Sequence, residues 1–168
     1  MRSKVVGTAL ICLALATAAM AQQGAGDTEL QLQGSLSLAT SGAKDSAGGA
    51  NALVGRFFTD RQEAGVSLAA SIFQGNKLVG LAGVFYRYNF SSGQIVPYVG
   101  ASAADSFGST GNVGSSTGLL LTFEGGFRYF IDRRTAFSVE ASEGYSTKDK
   151  EFGKQLTVLF GFSHLWGK

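Results

Sequence analysis

The chain is 168 residues long, with 14 Lys and Arg against 12 Asp and Glu, 45% hydrophobic residues, 24 glycines and one cysteine. Charged residues make up only 15%, against about 25% in ordinary soluble domains, so a fully solvated surface is hard to assemble from this composition. The near-neutral balance and the lone cysteine give no basis for nucleic-acid binding, a disulfide or a thiolate metal centre.

Residues 1–21 read as a secretory signal. Arg2 and Lys4 precede an apolar run from Val5 through Ala16, and Ala19-Met20-Ala21 has the small-x-small pattern of a cleavage site. The run falls short of the roughly 20 apolar residues of a spanning helix. Removing 21 of 168 residues leaves 147, beginning at Gln22. Arg2, Lys4 and Cys12 depart with the signal, so the 14 cations fall to 12 and match the 12 acids.

From there the chain reads as strands. Strand one, Glu29 to Leu38, sets Leu30, Leu32, Leu36 and Leu38 against Glu29, Gln31, Gln33, Ser35 and Ser37, the period of a strand and not of a helix. Strand two, Ala52 to Thr59, places Leu53, Gly55 and Phe57 opposite Arg56. Strand three, Ala64 to Phe73, sets Val66, Leu68, Ala70 and Ile72 against Ser67, Ala69 and Ser71. Strand four, Val79 to Phe90, sets Val84, Tyr86, Tyr88 and Phe90 against Gly83, Phe85, Arg87 and Asn89. Strand five, Ile95 to Ala104, carries Pro97 near its start, where proline is tolerated. Strand six, Leu119 to Phe130, sets Leu119, Leu121, Phe123, Phe127 and Tyr129 against Thr122, Glu124, Gly126 and Arg128. Strand seven, Ala136 to Tyr145, sets Phe137, Val139 and Ala141 against Ser138, Glu140 and Ser142. Strand eight, Gln155 to Trp166, sets Leu156, Val158, Phe160, Phe162 and Trp166 against Thr157, Gly161 and Ser163.

The connections alternate in length. Asp60 to Glu63, Ser91 to Gln94 and Asp132 to Arg134 are tight. Ser41-to-Ala50, Asp105-to-Ser116 and Ser146-to-Gly153 are long and polar, with Gln74-to-Lys77 a shorter member of that set. Short periplasmic turns and longer external loops are the pattern of outer-membrane barrels. An internal repeat matches Arg56-Phe57-Phe58-Thr59-Asp60-Arg61 to Arg128-Tyr129-Phe130-Ile131-Asp132-Arg133, and Ser67-to-Ser71 to Ser138-to-Ser142. The offsets of the two matches differ by one, which implies an extra residue in one turn.

Two features assign the faces. Aromatic residues gather near the tight turns, and Phe57, Tyr86, Tyr88, Phe90, Phe127, Tyr129, Phe137 and Trp166 are expected as a periplasmic girdle. The opposite face is mostly Gly, Ser, Ala and Thr with a few charges, which suits a narrow packed interior. Glu29, Arg56, Arg87, Glu124, Arg128 and Glu140 are the expected lumen charges, and a tight lumen requires them to pair.

The order and spacing of Gly55-to-Asp60, Pro97-Tyr98-Val99-Gly100-Ala101, Gly126-to-Phe130 and the aromatic last strand resemble the small eight-stranded outer-membrane β-barrel family, akin to the barrel domain of outer membrane protein A. The resemblance covers residues 22–168. It implies an all-β, eight-stranded antiparallel up-and-down transmembrane β-barrel in the bacterial outer membrane, with periplasmic N- and C-termini. It also implies contact with outer-membrane lipids and lipopolysaccharide, and insertion by the barrel assembly machinery. Gly161-to-Trp166 is similar to the C-terminal signal which that machinery reads, with His164 at a position that is usually apolar.

Chemistry is sparse. Ser163 precedes His164, but strand neighbours face opposite sides and cannot form a direct pair. Gly108-to-Gly114 lacks the lysine of a phosphate loop, and Lys148-Asp149-Lys150-Glu151 reads as a solvated loop. No enzyme activity, metal, cofactor or nucleic-acid partner is expected, and the chain is expected to be a monomer. The expected role is structural, with a side-chain-filled lumen contributing to envelope integrity. A narrow channel for small solutes or ions is the alternative. An adhesin ranks below both, because the loops offer few anchors beyond Phe107 and Phe152.

Overall fold

A computed structural model describes residues 23–39, 47–73, 77–109, 119–147 and 155–167. The signal segment 1–21, Lys148-Asp149-Lys150-Glu151, the greater part of Gly108-to-Gly114 and large parts of the four longer connections lie outside the described residues.

The strands are β1 (Thr28–Ala39), β2 (Ala47–Phe57), β3 (Gln62–Phe73), β4 (Lys77–Asn89), β5 (Ile95–Ser109), β6 (Leu120–Phe130), β7 (Thr135–Ser146) and β8 (Gln155–Trp166). Each pairs antiparallel with its neighbour in the chain, and β1 also pairs with β8, which closes the barrel. β2 and β5 exceed their expected lengths by the most. β2 begins at Ala47, where Ala47-Gly48-Gly49-Ala50 has no large side chains to show alternation but pairs its backbone with Gly34 to Ser37. β5 continues past Ala104 to Ser109 by pairing with β4 through an irregularity at Val79/Gly80.

The apolar face is the exterior. Leu36, Val66, Val84 and Phe123 are each more than half exposed. Inside, Glu29, Gln31, Glu63, Arg87, Asn89 and Arg128 are buried. A water-soluble barrel has the opposite polarity, and an exposed apolar surface this large is stable against hydrocarbon.

β2 corrects the expected phase. Phe57 is 1% exposed and points inward, whereas Arg56 is exposed on the outer wall. Glu63, expected in a turn, is 1% exposed inside the barrel. The cause is register. Strands ending at Thr59 and restarting at Ala64 would place Arg56 opposite Ser67. The turn is instead formed by residues 58–61, which pairs Arg56 with Ala64 and Phe57 with Glu63. An odd shift in register moves every side chain to the other face. The sequence repeat is therefore not a structural one, because Arg128 points inward while its match Arg56 points outward. Nor does either hairpin carry an extra turn residue: the turns are 58–61 and 131–134.

The turn end of the lumen is sealed by Phe57, Val96, Phe130, Ala136 and Leu165, an apolar layer of buried side chains. Below it, Gln23 donates from Nε2 to the carbonyls of Asp60 and Ser91 at 3.2 and 3.3 Å. In the β6–β7 turn, Asp132 Oδ1 accepts from the backbone N–H groups of Arg134 and Thr135, both at 2.7 Å. Those bonds hold its carboxyl below the usual aspartate range. Their stabilising effect is present above that range and is lost as pH falls through the lowered value.

Gly55 and Gly65 face each other across β2 and β3. A Cβ at Gly65 would lie 2.0 Å from the Val54 carbonyl oxygen, and one at Gly55 would lie 2.1 Å from Glu63 Oε1. The strands approach this closely only without side chains, and the obstacle at Gly65 is backbone, which cannot rotate away. Gly65→Ala is expected to destabilise the barrel by about 1–3 kcal/mol, read as an earlier midpoint in denaturant unfolding from detergent micelles. An unchanged midpoint would rule out this close contact.

Candidate functional site: the charged lumen

The interior charges come from five strands. Period-two alternation delivers Glu29 from β1, Glu63 from β3, Arg87 from β4, Glu124 and Arg128 from β6, and Glu140 from β7 to one narrow space. Tyr98 on β5 stands among them, with both guanidiniums packed over its ring at 4.9 Å for Arg87 and 4.8 Å for Arg128. A cation over an aromatic face is attracted by the ring quadrupole, the more so without water.

Arg128 occupies the layer nearer the turns. Its Nη2 donates to Glu63 Oε2 at 2.7 Å, and its Nη1 donates to Asn89 Oδ1 at 2.7 Å. Glu29 Oε2 lies 2.8 Å from the same Nη2 but makes no hydrogen bond, so that attraction is coulombic alone. Arg87 occupies the next layer. Its Nε donates to Glu124 Oε1, its Nη1 to Gln31 Oε1, and its Nη2 to Glu140 Oε2 at 2.8 Å. Glu140 Oε2 also accepts from the Tyr98 hydroxyl at 2.8 Å and from Gln33 Nε2 at 3.3 Å. Each arginine is thus flanked by two carboxyl groups from different strands.

Room for these groups comes from glycine. A Cβ at Gly100 would lie 2.7 Å from Glu124 Oε1 and 2.9 Å from Arg87 Cγ. Toward the loop end the polar filling gives way to a cavity of about 170 Å³, lined by Ser35, Ser37, Ser67, Ser71, Thr122 and Thr157 among others, with Glu124 and Glu140 in its wall.

Of the six lumen charges expected from sequence, Glu29, Arg87, Glu124, Arg128 and Glu140 meet in this network, and Arg56 does not. Glu63 takes part without having been expected. Its hairpin partner Phe57 was given the wrong face for the same reason, the misplaced turn. Among the described residues the lumen therefore holds four carboxyls against two guanidiniums rather than three of each. Among the expected girdle residues, Tyr86, Phe90, Phe127, Tyr129 and Trp166 are exposed on the outer wall. Tyr88 and Phe137 are half-buried there, each edge-on to an outer aromatic, Phe90 and Phe162. Phe57 instead belongs to the interior seal.

No protein-family model matches the sequence, and neither does any curated protein. Among solved structures, the chain is similar to the N-terminal β-barrel domain of Pseudomonas aeruginosa OprF. The TM-score is 0.64 at 17% identity, covering 86% of this chain and 100% of that one. It is similar to Neisserial surface protein A with a TM-score of 0.62 at 10% identity, covering 84% and 96% of the two chains. The outer membrane protein OprG of Pseudomonas aeruginosa gives 0.60 at 11% identity, covering 87% and 99%. At these identities the likeness is one of fold, that of the small eight-stranded outer-membrane barrels.

The two-to-one ratio of carboxyls to guanidiniums ranks the mutations. Arg87→Met leaves Glu124 and Glu140 without their shared cation, and a loss of about 3–5 kcal/mol is expected. Glu140→Gln keeps Glu124 on Arg87 and retains an acceptor for Tyr98, so the expected loss is smaller, about 1–3 kcal/mol. Denaturant unfolding of both variants tests the order, and a larger loss in Glu140→Gln would contradict it.

Proposed function

We propose that the chain is a structural, non-enzymatic protein of the bacterial outer membrane. On this reading it is a monomeric barrel with a plugged lumen that contributes to envelope integrity through its contact with lipid. Residues 1–21 are its export signal, and the tight turns and both termini of the mature chain lie in the periplasm. The longer connections then face outward beside lipopolysaccharide. The segment Gly161-to-Trp166 at the end of β8 serves as the signal to the barrel assembly machinery.

The observation that carries the reading is the double seal. An apolar layer of Phe57, Val96, Phe130, Ala136 and Leu165 is followed by the Arg128 and Arg87 layers. Eight strands enclose an interior about wide enough for side chains to fill, and here they fill it at the turn end. The apolar exterior supports the membrane location. The non-enzymatic assignment is supported by the separation of Ser163, buried inside, from His164, exposed on the outer wall.

Two measurements test the reading. The folded protein should migrate differently in gels before and after boiling in detergent, because a closed strand ladder has no free edge from which to unravel. In planar bilayers it should give no resolved current steps above a lipid-only control. A reproducible open state would replace the plugged barrel with the narrow-channel reading.

A further inference from the structure

Of the three arginines expected inside, Arg56 is the one on the outer wall. It is exposed, next to the end of β2, and its guanidinium makes no hydrogen bond or ion pair among the described residues. Its neighbours in register are Thr28 on β1 and Ala64 on β3, both short, so its guanidinium has space on either side. One strand further out stand Trp166, opposite Thr28, and Tyr86, opposite Ala64. Both are exposed. Arg56 is therefore a free cation set between two aromatics at the turn-end rim.

Two outward positions above it, past the exposed Val54, a groove begins at Ala52. Beyond Val54, the outward positions of β2 are Ala52, Ala50 and Gly48, and on either side Gly34 and Ala70 pair with Ala50. Leu32 and Leu68 flank Ala52 in the same way. Phe160, opposite Gly34, bounds one side. On the other, Ala70 pairs with Gly80 and Gly80 with Phe107. The resulting groove has a volume of about 710 Å³. From Arg56 to Ala50, at the far end of the groove's β2 lining, the strand rises about 20 Å. At a 45° tilt this is about 14 Å of depth, close to one leaflet of a hydrocarbon core about 30 Å thick.

We propose that Arg56 and the β2 groove bind one anionic phospholipid of the leaflet at the turn end, with the phosphate on the guanidinium and one acyl chain along Val54, Ala52 and Ala50. The inference rests on the proposed outer-membrane location with periplasmic turns, which selects a phospholipid and not lipopolysaccharide. Guanidinium and phosphate match in charge and in hydrogen-bonding geometry. The apolar groove that lies past Val54 on the same outer wall supplies the chain site that a soluble phosphate would not need.

The single tryptophan reports on the site. Trp166 lies two strands from Arg56, about 10 Å away at the spacing of paired strands. The protein is refolded into phosphatidylcholine vesicles and titrated with lipids brominated near the carbonyl end of the acyl chain. Brominated phosphatidylglycerol is expected to quench Trp166 at about fivefold lower mole fraction than brominated phosphatidylcholine, the gain typical of one basic residue at an anionic surface. The preference should fall to parity in Arg56→Gln, and survive in Arg56→Lys and in Arg133→Gln, which alters another turn-end cation. Equal quenching in the wild type, a preference retained by Arg56→Gln, or stronger competition by lipid A than by phosphatidylglycerol would each overturn the proposal. Failure of every brominated lipid to quench would overturn the membrane reading itself.

Discussion

Burying the Arg87 and Arg128 guanidiniums takes two like charges out of water within one tyrosine ring of each other. Each such ion carries a desolvation penalty of several kcal/mol unless partners surround it. The rest of the lumen is arranged around that requirement. Glu29 and Glu63 reach Arg128 from β1 and β3, and Glu124 and Glu140 reach Arg87 from β6 and β7. Tyr98 presents its ring to both cations and its hydroxyl to Glu140. These contacts cross the lumen, so they tie together strands that the backbone ladder links only through their neighbours.

The same requirement explains the small inward residues. Full-sized side chains at Gly55 and Gly100 would displace Glu63 and Glu124 from the cations they serve. Small residues near the charges and large apolar ones at the turn end divide the interior into a polar plug and a greasy seal. A solute entering from the loop end meets the serine-lined cavity first, then Glu124 and Glu140. To pass, it must separate paired ions and then part the layer around Phe57 and Phe130. Both layers thus lie across the path at the turn end, the arrangement on which the proposed plugged barrel rests.

The eight strands, and the faces of six of the seven for which the sequence indicated one, were legible because period-two alternation with one apolar face leaves little choice of phase. β2 was the exception. Its rim segment Arg56-Phe57-Phe58 offers aromatics on both faces, and at this end of the barrel both faces take them: Phe58 lies outside at 61% exposure and Phe57 lies inside at 1%. The mid-strand residues carried a better signal. Ala50, Ala52 and Val54 share the face of Arg56, and pairing them with Ala70, Leu68 and Val66 gives one continuous apolar exterior. Extending that pairing to the turn assigns Glu63 to the lumen. The Tyr98 contacts were not legible, because they depend on how strands distant in sequence meet across the interior.

The misplaced turn matters beyond two residues, because it exchanges an interior cation for an interior acid. With Arg56 inside and Glu63 in a turn, the lumen would hold three charges of each sign, and the outer face of β2 would carry no cation at its turn end. With the observed register the lumen is acid-rich, and the displaced positive charge stands at the rim where lipid phosphates lie. Identical side chains thus meet different physics within a few ångströms. Arg87 and Arg128 are held by carboxyls that the fold itself supplies, while Arg56 has no such partner among the described residues. An exposed arginine at a membrane rim can satisfy itself with water. One set between a tryptophan and a tyrosine, with Val54 and then an apolar groove at Ala52 and Ala50 above it on the same wall, offers a phosphate and its acyl chain places in one line, and that alignment distinguishes a lipid site from an ordinary rim charge.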